Sequence, residues 1–172
     1  LRVIGRQQQL LRIDFETSPS RDALLAKLSE FQRRLPEFDA VLLSDYGKGG
    51  LTHIAEMIRL ARAAGKIVLV DPKGDDYSGY AGATVITPNR AELRDVVGRW
   101  KDEADLEARA TGLRKQLDLT ALLVTRSEEG MSLFRDEGTL HEKTVAREVY
   151  DVSGAGDTVI ATLGVMLAHG AD

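Results

Sequence analysis

The sequence predicts an α/β fold in which a mostly parallel sheet is flanked by helices on both faces. Short apolar runs of strand length alternate along the chain with amphipathic segments of helix length, as in repeated strand–helix units. The apolar runs are continuous, which is typical of parallel strands buried on both faces. Several of them end in polar tails, which would meet at the carboxyl edge of the sheet. A ligand crevice is therefore expected at that edge.

Hydrophobic periodicity and the positions of glycine and proline assign the elements in order. A strand at residues 10–15 is expected to pair with residues 2–6. The strands predicted after this pair are residues 40–43, 67–70, 84–86 and 121–124, followed by a hairpin of 131–134 with 140–145. The predicted helices are residues 21–34, 54–64, 90–97, 103–117 and 159–167, the second of them closed by Gly65.

Length and composition exclude several classes of protein. A chain of 172 residues suits one compact domain with a real core. The net charge of −4 argues against a partner among nucleic acids or membrane surfaces. The absence of cysteine excludes disulfides, thiolate chemistry and cysteine-based zinc sites. With no apolar stretch of membrane-spanning length and no signal-peptide core, the expectation is a cytoplasmic protein.

A glycine-rich stretch leads from a polar loop into the last predicted helix. Gly154 and Gly156 flank Ala155 and let backbone N–H groups crowd at the helix N-terminus, where the helix dipole favours an anion such as phosphate. Asp157 stands beside this anion site, where a carboxylate could take a hydroxyl proton during phosphoryl transfer. These four residues are the candidate catalytic group. The alternative is a glycine-rich turn followed by Asp157 as an ordinary first-turn residue.

The whole octapeptide at residues 151–158, Asp-Val-Ser-Gly-Ala-Gly-Asp-Thr, resembles the C-terminal signature of the ribokinase-like (PfkB) carbohydrate kinases. Among these, the runs at residues 6–12, 44–49 and 71–74 are most similar to the D-glycero-β-D-manno-heptose 7-phosphate kinases. The resemblance implies a ribokinase-like fold. It also implies ATP-dependent phosphorylation of the anomeric hydroxyl of the heptose 7-phosphate to the 1,7-bisphosphate, a step of lipopolysaccharide core synthesis.

A second chemical cluster follows Pro88. Asn89 is a good N-cap for the next helix, and Glu92, three residues later, shares its face at the helix start. Spacing alone favours a structural capping box. The resemblance implies that Asn89 lies near the nucleotide phosphates and that Glu92 positions Mg²⁺ through water. A Mg²⁺ ion that keeps several waters needs few protein ligands.

The stretch at residues 125–130 resembles the nucleotide loop Thr-x-Gly-x-x-Gly of the family. Thr125 and Gly130 match, while Ser127 replaces the middle glycine; a tight turn that needs Gly130 is the structural alternative. The resemblance implies that these three residues bind the nucleotide and that Lys73 lies near its phosphates. Lys73 could otherwise be a solvated surface lysine.

The remaining candidate residues are candidates for binding the sugar or a cation. Lys48, in a loop bracketed by glycines, could contact the sugar or its 7-phosphate, and Asp45 is a candidate for the same site or merely caps that loop. Some relatives use the acid that corresponds to Asp151 at a monovalent-cation site, so Asp151 is a candidate there.

Members of the family are considerably longer than this chain. Residues 1–172 are therefore expected to be the core of a single ribokinase-like kinase domain, a partial domain with little activity by itself. Three hypotheses remain: a heptose 7-phosphate kinase, a related kinase of another sugar or sugar phosphate, and a non-catalytic binding domain of the same fold. The resemblance further implies ATP and a sugar phosphate as substrates and a homodimer when the protein is intact.

Overall fold

The structure is a computed structural model that describes residues 1–5, 8–13, 15, 17–145 and 154–171, with the backbone alone at residues 8, 9 and 12. The described strands are β1 Arg2–Gly5, β2 Gln8–Arg12, β3 Ala40–Ser44, β4 Ile67–Asp71, β5 Val85–Ile86, β6 Ala121–Thr125, β7 Met131–Arg135 and β8 Gly138–Glu142. The described α-helices are α1 Arg21–Arg34, α2 Ile54–Ala63, α3 Arg90–Val97, α4 Glu103–Gln116 and α5 Ala155–Ala168. Short 3₁₀ turns occupy Leu35–Glu37, Ser78–Tyr80 and Ser127–Glu129.

Six strands form one sheet in sequence order, β3-β4-β5-β6-β7-β8, while β1 and β2 form a separate antiparallel pair. The first four strands of the large sheet run parallel, and β7 and β8 extend it as an antiparallel hairpin. The predicted α/β fold with a mostly parallel sheet is confirmed. Parallel pairing in register, with Ser44 opposite Asp71, brings the carboxyl ends of the strands to one edge.

Helices cover both faces of this sheet, as predicted. On one face α1 to α4 bury a core that includes Ile58, Leu93 and Leu106. On the other face α5 packs Val159 and Leu163 over a smaller cluster formed by β5 and β6. The apolar runs that predicted the parallel strands are mostly buried. In β4, residues 68 to 70 are at most 1% exposed, whereas Leu42 in the edge strand β3 is 44% exposed. None of the described helices is long and apolar enough to cross a membrane.

Three predicted elements differ from the structure by two or more residues at an end, and several others differ by one residue. The hairpin turns at Asp136 and Glu137, so β8 begins at Gly138 and ends at Glu142, opposite Met131, the first residue of its partner strand β7. Strand β2 ends at Arg12, which pairs with the first residue of β1. Helix α5 begins at Ala155 because Gly154 adopts a left-handed conformation with φ 77° and starts the helix there.

Candidate active site

The polar tails of neighbouring strands meet at the carboxyl edge of the sheet, as the sequence predicts. The Ser44 hydroxyl donates to Asp71 Oδ2 at 3.2 Å, and the Asp45 N–H donates to the Asp71 carbonyl at 2.9 Å. Further along the edge, the Thr125 N–H donates to the Pro88 carbonyl at 3.0 Å. The tails of four consecutive strands therefore form one continuous rim.

Among the residues that the structure describes, none provides a side-chain cap at the start of α5. Gly154 is its N-cap residue, and the Gly154 carbonyl accepts from both the N–H and the hydroxyl of Thr158, each at 2.9 Å. The amides of Ala155, Gly156 and Asp157 belong to the first turn, where an α-helix supplies no acceptor for its N–H groups. All three residues are exposed. The first-turn amides and the Asp157 carboxylate are therefore together at one exposed helix end.

The start of α3 is closed by a capping box. Asn89 Oδ1 accepts from the N–H groups of Ala91 and Glu92 at 2.9 and 3.0 Å, and Glu92 Oε2 accepts from the Asn89 N–H at 3.0 Å. The capping interpretation of this pair is confirmed. The other oxygen of Glu92 lies 3.0 Å from Lys73 Nζ. This pairing raises the pKa of Lys73 and keeps the ammonium protonated.

Asp71 lies between the two helix starts and was not among the predicted site residues. It is half-buried, and burial raises the pKa of its carboxyl, opposed by the Ser44 hydrogen bond. The negative charges of Glu92 and Asp157 raise the pKa of Asp71 further. The signal in the sequence was the position of Asp71 at the end of a buried strand.

The residues present fit a Mg²⁺ ion that keeps most of its waters. Among the described residues there is no cluster of three or more acids or histidines that could hold a metal. Mg²⁺ commonly binds through one or two carboxylates plus substrate phosphates. Glu92 and Asp71 supply hard oxygen donors in a negatively charged rim, so these two residues would hold the ion. Asp151, predicted at a monovalent-cation site, lies outside the described residues.

The loop after β6 requires glycine-like geometry at two positions. Ser127, which replaces a glycine of the family pattern, adopts φ 54°, a left-handed conformation that glycine adopts more readily. Gly130 has φ 93°, and a Cβ there would lie 1.9 Å from the Glu142 carbonyl oxygen. The Asn89 and Thr125 backbones form a parallel bridge. The predicted nucleotide residues Thr125, Ser127 and Asn89 are thus on adjacent segments.

Arg126 was missed by the sequence analysis. Its buried guanidinium lies 2.6 Å from Glu103 Oε1 and 2.6 Å from Glu129 Oε2, and it donates to the Ser132 hydroxyl at 3.0 Å. These contacts attach the 125–130 loop to the start of α4. Glu129, three residues after Arg126, was the signal in the sequence. Glu103 is 23 residues away and gave none.

The predicted sugar residues lie at the other end of the rim. Asp45 Oδ1 accepts from the Gly47 N–H at 2.8 Å, so its loop-capping interpretation is confirmed. Lys48 is exposed, and both residues line a cleft of about 900 Å³ between α1 and β3. Asp45 Oδ2 lies 2.9 Å from the Tyr80 hydroxyl, a contact that the sequence analysis did not predict.

Comparison with known proteins agrees with this geometry. The model of the pfkB family carbohydrate kinases matches residues 7–172. The D-beta-D-heptose 7-phosphate kinase of Bordetella bronchiseptica is 58% identical over 170 residues, which cover 99% of this chain and 54% of that protein. The bifunctional protein HldE of Chromohalobacter salexigens is 54% identical over 99% of this chain and 36% of its own length. The chain thus spans about half, or less, of these relatives.

Solved structures share the fold. Phosphofructokinase-2 from Escherichia coli, in complex with potassium, superposes with a TM-score of 0.76 at 17% identity, over 96% of this chain and 55% of that one. A ribokinase from Arabidopsis thaliana, complexed with ribose and ATP, gives a TM-score of 0.71 at 20% identity, over 83% of this chain and 47% of that one. Identities this low establish the ribokinase-like fold alone.

Proposed function

The chain belongs to the pfkB family of carbohydrate kinases, and from this premise we propose that it forms the core of an ATP-dependent heptose 7-phosphate kinase. The product would be the 1,7-bisphosphate of D-glycero-β-D-manno-heptose, used in lipopolysaccharide core synthesis. The observation that carries the proposal is the uncapped start of α5, with Gly154 in the left-handed conformation and Asp157 exposed beside the first-turn amides.

In the proposed reaction Asp157 is the general base. Its carboxylate accepts the proton of the anomeric hydroxyl as that oxygen bonds to the γ-phosphorus of ATP, and the bond from this phosphorus to the bridging oxygen breaks to release ADP. The amides of Ala155, Gly156 and Asp157 donate to the oxygens of the migrating group and stabilise the charge that develops. Glu92, through water, and Asp71 would hold a Mg²⁺ ion. The bound ion would neutralise part of the charge on the phosphates.

The nucleotide would lie along the other half of the rim. Thr125, Ser127 and Gly130 form the loop beside it, and Asn89 begins the adjacent helix. The Lys73 side chain is half-exposed, so its ammonium could leave Glu92 and bind a phosphate oxygen instead. A monovalent cation near Asp151 is a further part of the proposal, supported by the potassium complex of phosphofructokinase-2.

The choice of sugar rests on the relatives. A heptose 7-phosphate kinase is 58% identical over almost the whole chain. The 7-phosphate requires a cation away from Asp157, and Lys48 at the cleft beside β3 is the candidate, with Asp45 available for a sugar hydroxyl. We further propose that the intact protein is a cytoplasmic homodimer and that residues 1–172 are the core of its single kinase domain. A non-catalytic binding domain would have no use for Asp157 as a base.

The test is a substrate panel with ATP and Mg²⁺, run on a polypeptide of the relatives' length that carries this chain. We expect the heptose 7-phosphate to give the highest kcat/KM and the 1,7-bisphosphate as product. Faster turnover of ribose, fructose 6-phosphate or a nucleoside would exclude the heptose assignment and leave a kinase of another sugar. Nucleotide binding without turnover of any acceptor would favour the non-catalytic domain.

A further inference from the structure

Tyr80 joins two loops of the rim through one buried hydroxyl. Its side chain is in the core, with the residue only 3% exposed. The hydroxyl accepts a hydrogen bond from the Lys73 N–H at 3.1 Å. Two acceptors lie within reach of its proton, Asp45 Oδ2 at 2.9 Å and the Lys73 carbonyl at 3.0 Å. One hydroxyl thus contacts the loop after β3 and the backbone of the loop after β4.

These contacts extend to the nucleotide side of the rim. The Lys73 ammonium pairs with Glu92, which in turn accepts from the Asn89 N–H in the capping box. A continuous series of polar contacts therefore runs from Asp45, through Tyr80, Lys73 and Glu92, to the start of α3. Because Tyr80 is rigid and buried, it fixes the distance between Asp45 and the Lys73 backbone.

The Tyr80 hydroxyl stays a neutral donor and acceptor across the physiological range. Burial raises its pKa to about 12, and the neighbouring Asp45 and Asp71 carboxylates contribute in the same direction. The hydroxyl therefore keeps its proton at any pH at which such an enzyme would be assayed.

We propose that Tyr80 is a positioning residue that holds the acceptor-side loop at residues 45–49 and the phosphate-side backbone at Lys73 in one fixed relation. The role in catalysis rests on the proposed kinase function, whereas the geometric part does not. Tyr80 touches neither substrate; it acts through Asp45, which lines the cleft, and through Lys73.

The chain supplies a matched control in Tyr77. Its ring packs edge-on against that of Tyr80 at 5.3 Å between centroids, and the residue is 2% exposed. Its hydroxyl is buried as well, but has no hydrogen-bond partner among the described residues. Loss of the hydroxyl in Tyr77→Phe therefore removes the same atom from the same environment without removing a link between loops.

The first experiment measures amide hydrogen exchange in the chain itself by NMR. Tyr80→Phe should speed exchange of the Lys73 amide at least tenfold, since that N–H loses its acceptor, while Tyr77→Phe should leave it unchanged. An unchanged Lys73 amide in Tyr80→Phe would overturn the proposal. This measurement needs no catalytic activity, so it stands even if the proposed function fails.

The second experiment measures steady-state kinetics in the longer polypeptide. Tyr80→Phe should raise KM for the acceptor sugar roughly tenfold, the effect expected of losing a hydrogen bond to a carboxylate. In an Asp45→Ala background, which already lacks both the link to Tyr80 and the proposed sugar contact, Tyr80→Phe should raise KM little further, because Tyr80 acts through Asp45. A lower Tm with unchanged KM would show a purely structural role and overturn the positioning assignment. Absence of turnover in the wild-type protein would instead reject the proposed function.

Discussion

The starts of α3 and α5 face the same rim and are built in opposite ways. At α3, Asn89 and Glu92 satisfy the N-terminal amides reciprocally, and Lys73 balances the charge of Glu92. At α5 the N-cap residue is a left-handed glycine with no side chain, and the first acidic residue, Asp157, is exposed. Both helix ends carry the same partial positive charge.

The difference separates stability from ligand binding. In a capping box the first-turn amides cannot donate to a ligand, because they already donate to acceptors inside the chain. A glycine start leaves its amides to solvent or to an anion, at some loss of helix stability. The α3 start holds Glu92 in place beside Lys73, whereas under the proposed function the α5 start receives the phosphoryl group. The following changes would break or sharpen this contrast.

The largest effect is expected for Asp157→Asn in the full-length enzyme. Removing the proposed base should lower kcat by roughly two to four decades and leave nucleotide affinity almost unchanged. Asp22→Asn is the matched control, because Asp22 is an exposed first-turn acid of α1 that is not among the proposed catalytic residues. Both variants should lose a similar, small helix-dipole contribution to the thermal midpoint. Near-normal turnover of folded Asp157→Asn would reduce Asp157 to an ordinary first-turn residue.

Gly156→Ala should move stability and binding in opposite directions. Among the described residues, no heavy atom outside the local helix backbone lies within 4 Å of the added Cβ, so the alanine should stabilise α5 by up to about 1 kcal/mol. The same methyl group would stand beside the proposed phosphate site, and we expect the Kd for ATP, measured calorimetrically, to rise about tenfold. Gly112→Ala in α4, also without close neighbours, should give the gain in stability alone. Unchanged ATP binding in Gly156→Ala would argue against an anion site at α5.

Glu92→Gln tests whether the closed helix start also serves the metal. The amide oxygen can still accept from the Asn89 N–H, but the charge that attracts Lys73 and a cation is lost. The Mg²⁺ concentration for half-maximal rate should rise several-fold, on the order of 1 kcal/mol in metal affinity. Glu103→Gln, which removes an ion-paired acid at the α4 start, is the control. If the metal titration is unchanged and only stability falls, Glu92 is a capping residue alone.

The smallest effect concerns the ion pair that supports the nucleotide loop. The Arg126 guanidinium holds the pKa of Glu103 below its ordinary value, so this pair stabilises the fold at neutral pH. The contribution is fully present above the unfolded pKa of about 4.3 and disappears as the pH falls through the lower folded value. Because Glu103 is largely exposed, Glu103→Gln should cost only a few tenths of a kcal/mol at pH 7. Urea unfolding of the wild-type protein and of Glu103→Gln at pH 7 and pH 3 checks this. If the two proteins differ by the same free energy of unfolding at both pH values, the ion pair is excluded as the cause.

Local patterns were predicted well from the sequence. The continuous apolar runs gave the parallel strands, and the i, i+3 spacing of Asn89 and Glu92 allowed for the capping box that the structure contains. Gly154 and Gly156 marked the start of α5, although not the residue at which it begins. These features depend on backbone preferences and on contacts within one helical turn, which a sequence carries directly.

The contacts that assemble the rim were decided by tertiary structure alone. Lys73 reaches Glu92 across 19 residues, and Asp45 reaches Tyr80 across 35. Neither sequence separation corresponds to the repeat of a helix or a strand. Such pairs form only after strand order and register bring loops from different strands to one edge. The sequence alone therefore determined which elements form and which helix start has a glycine in place of a capping side chain. Folding of the sheet decided which charged side chains surround it, because parallel pairing brings the distant strand ends together.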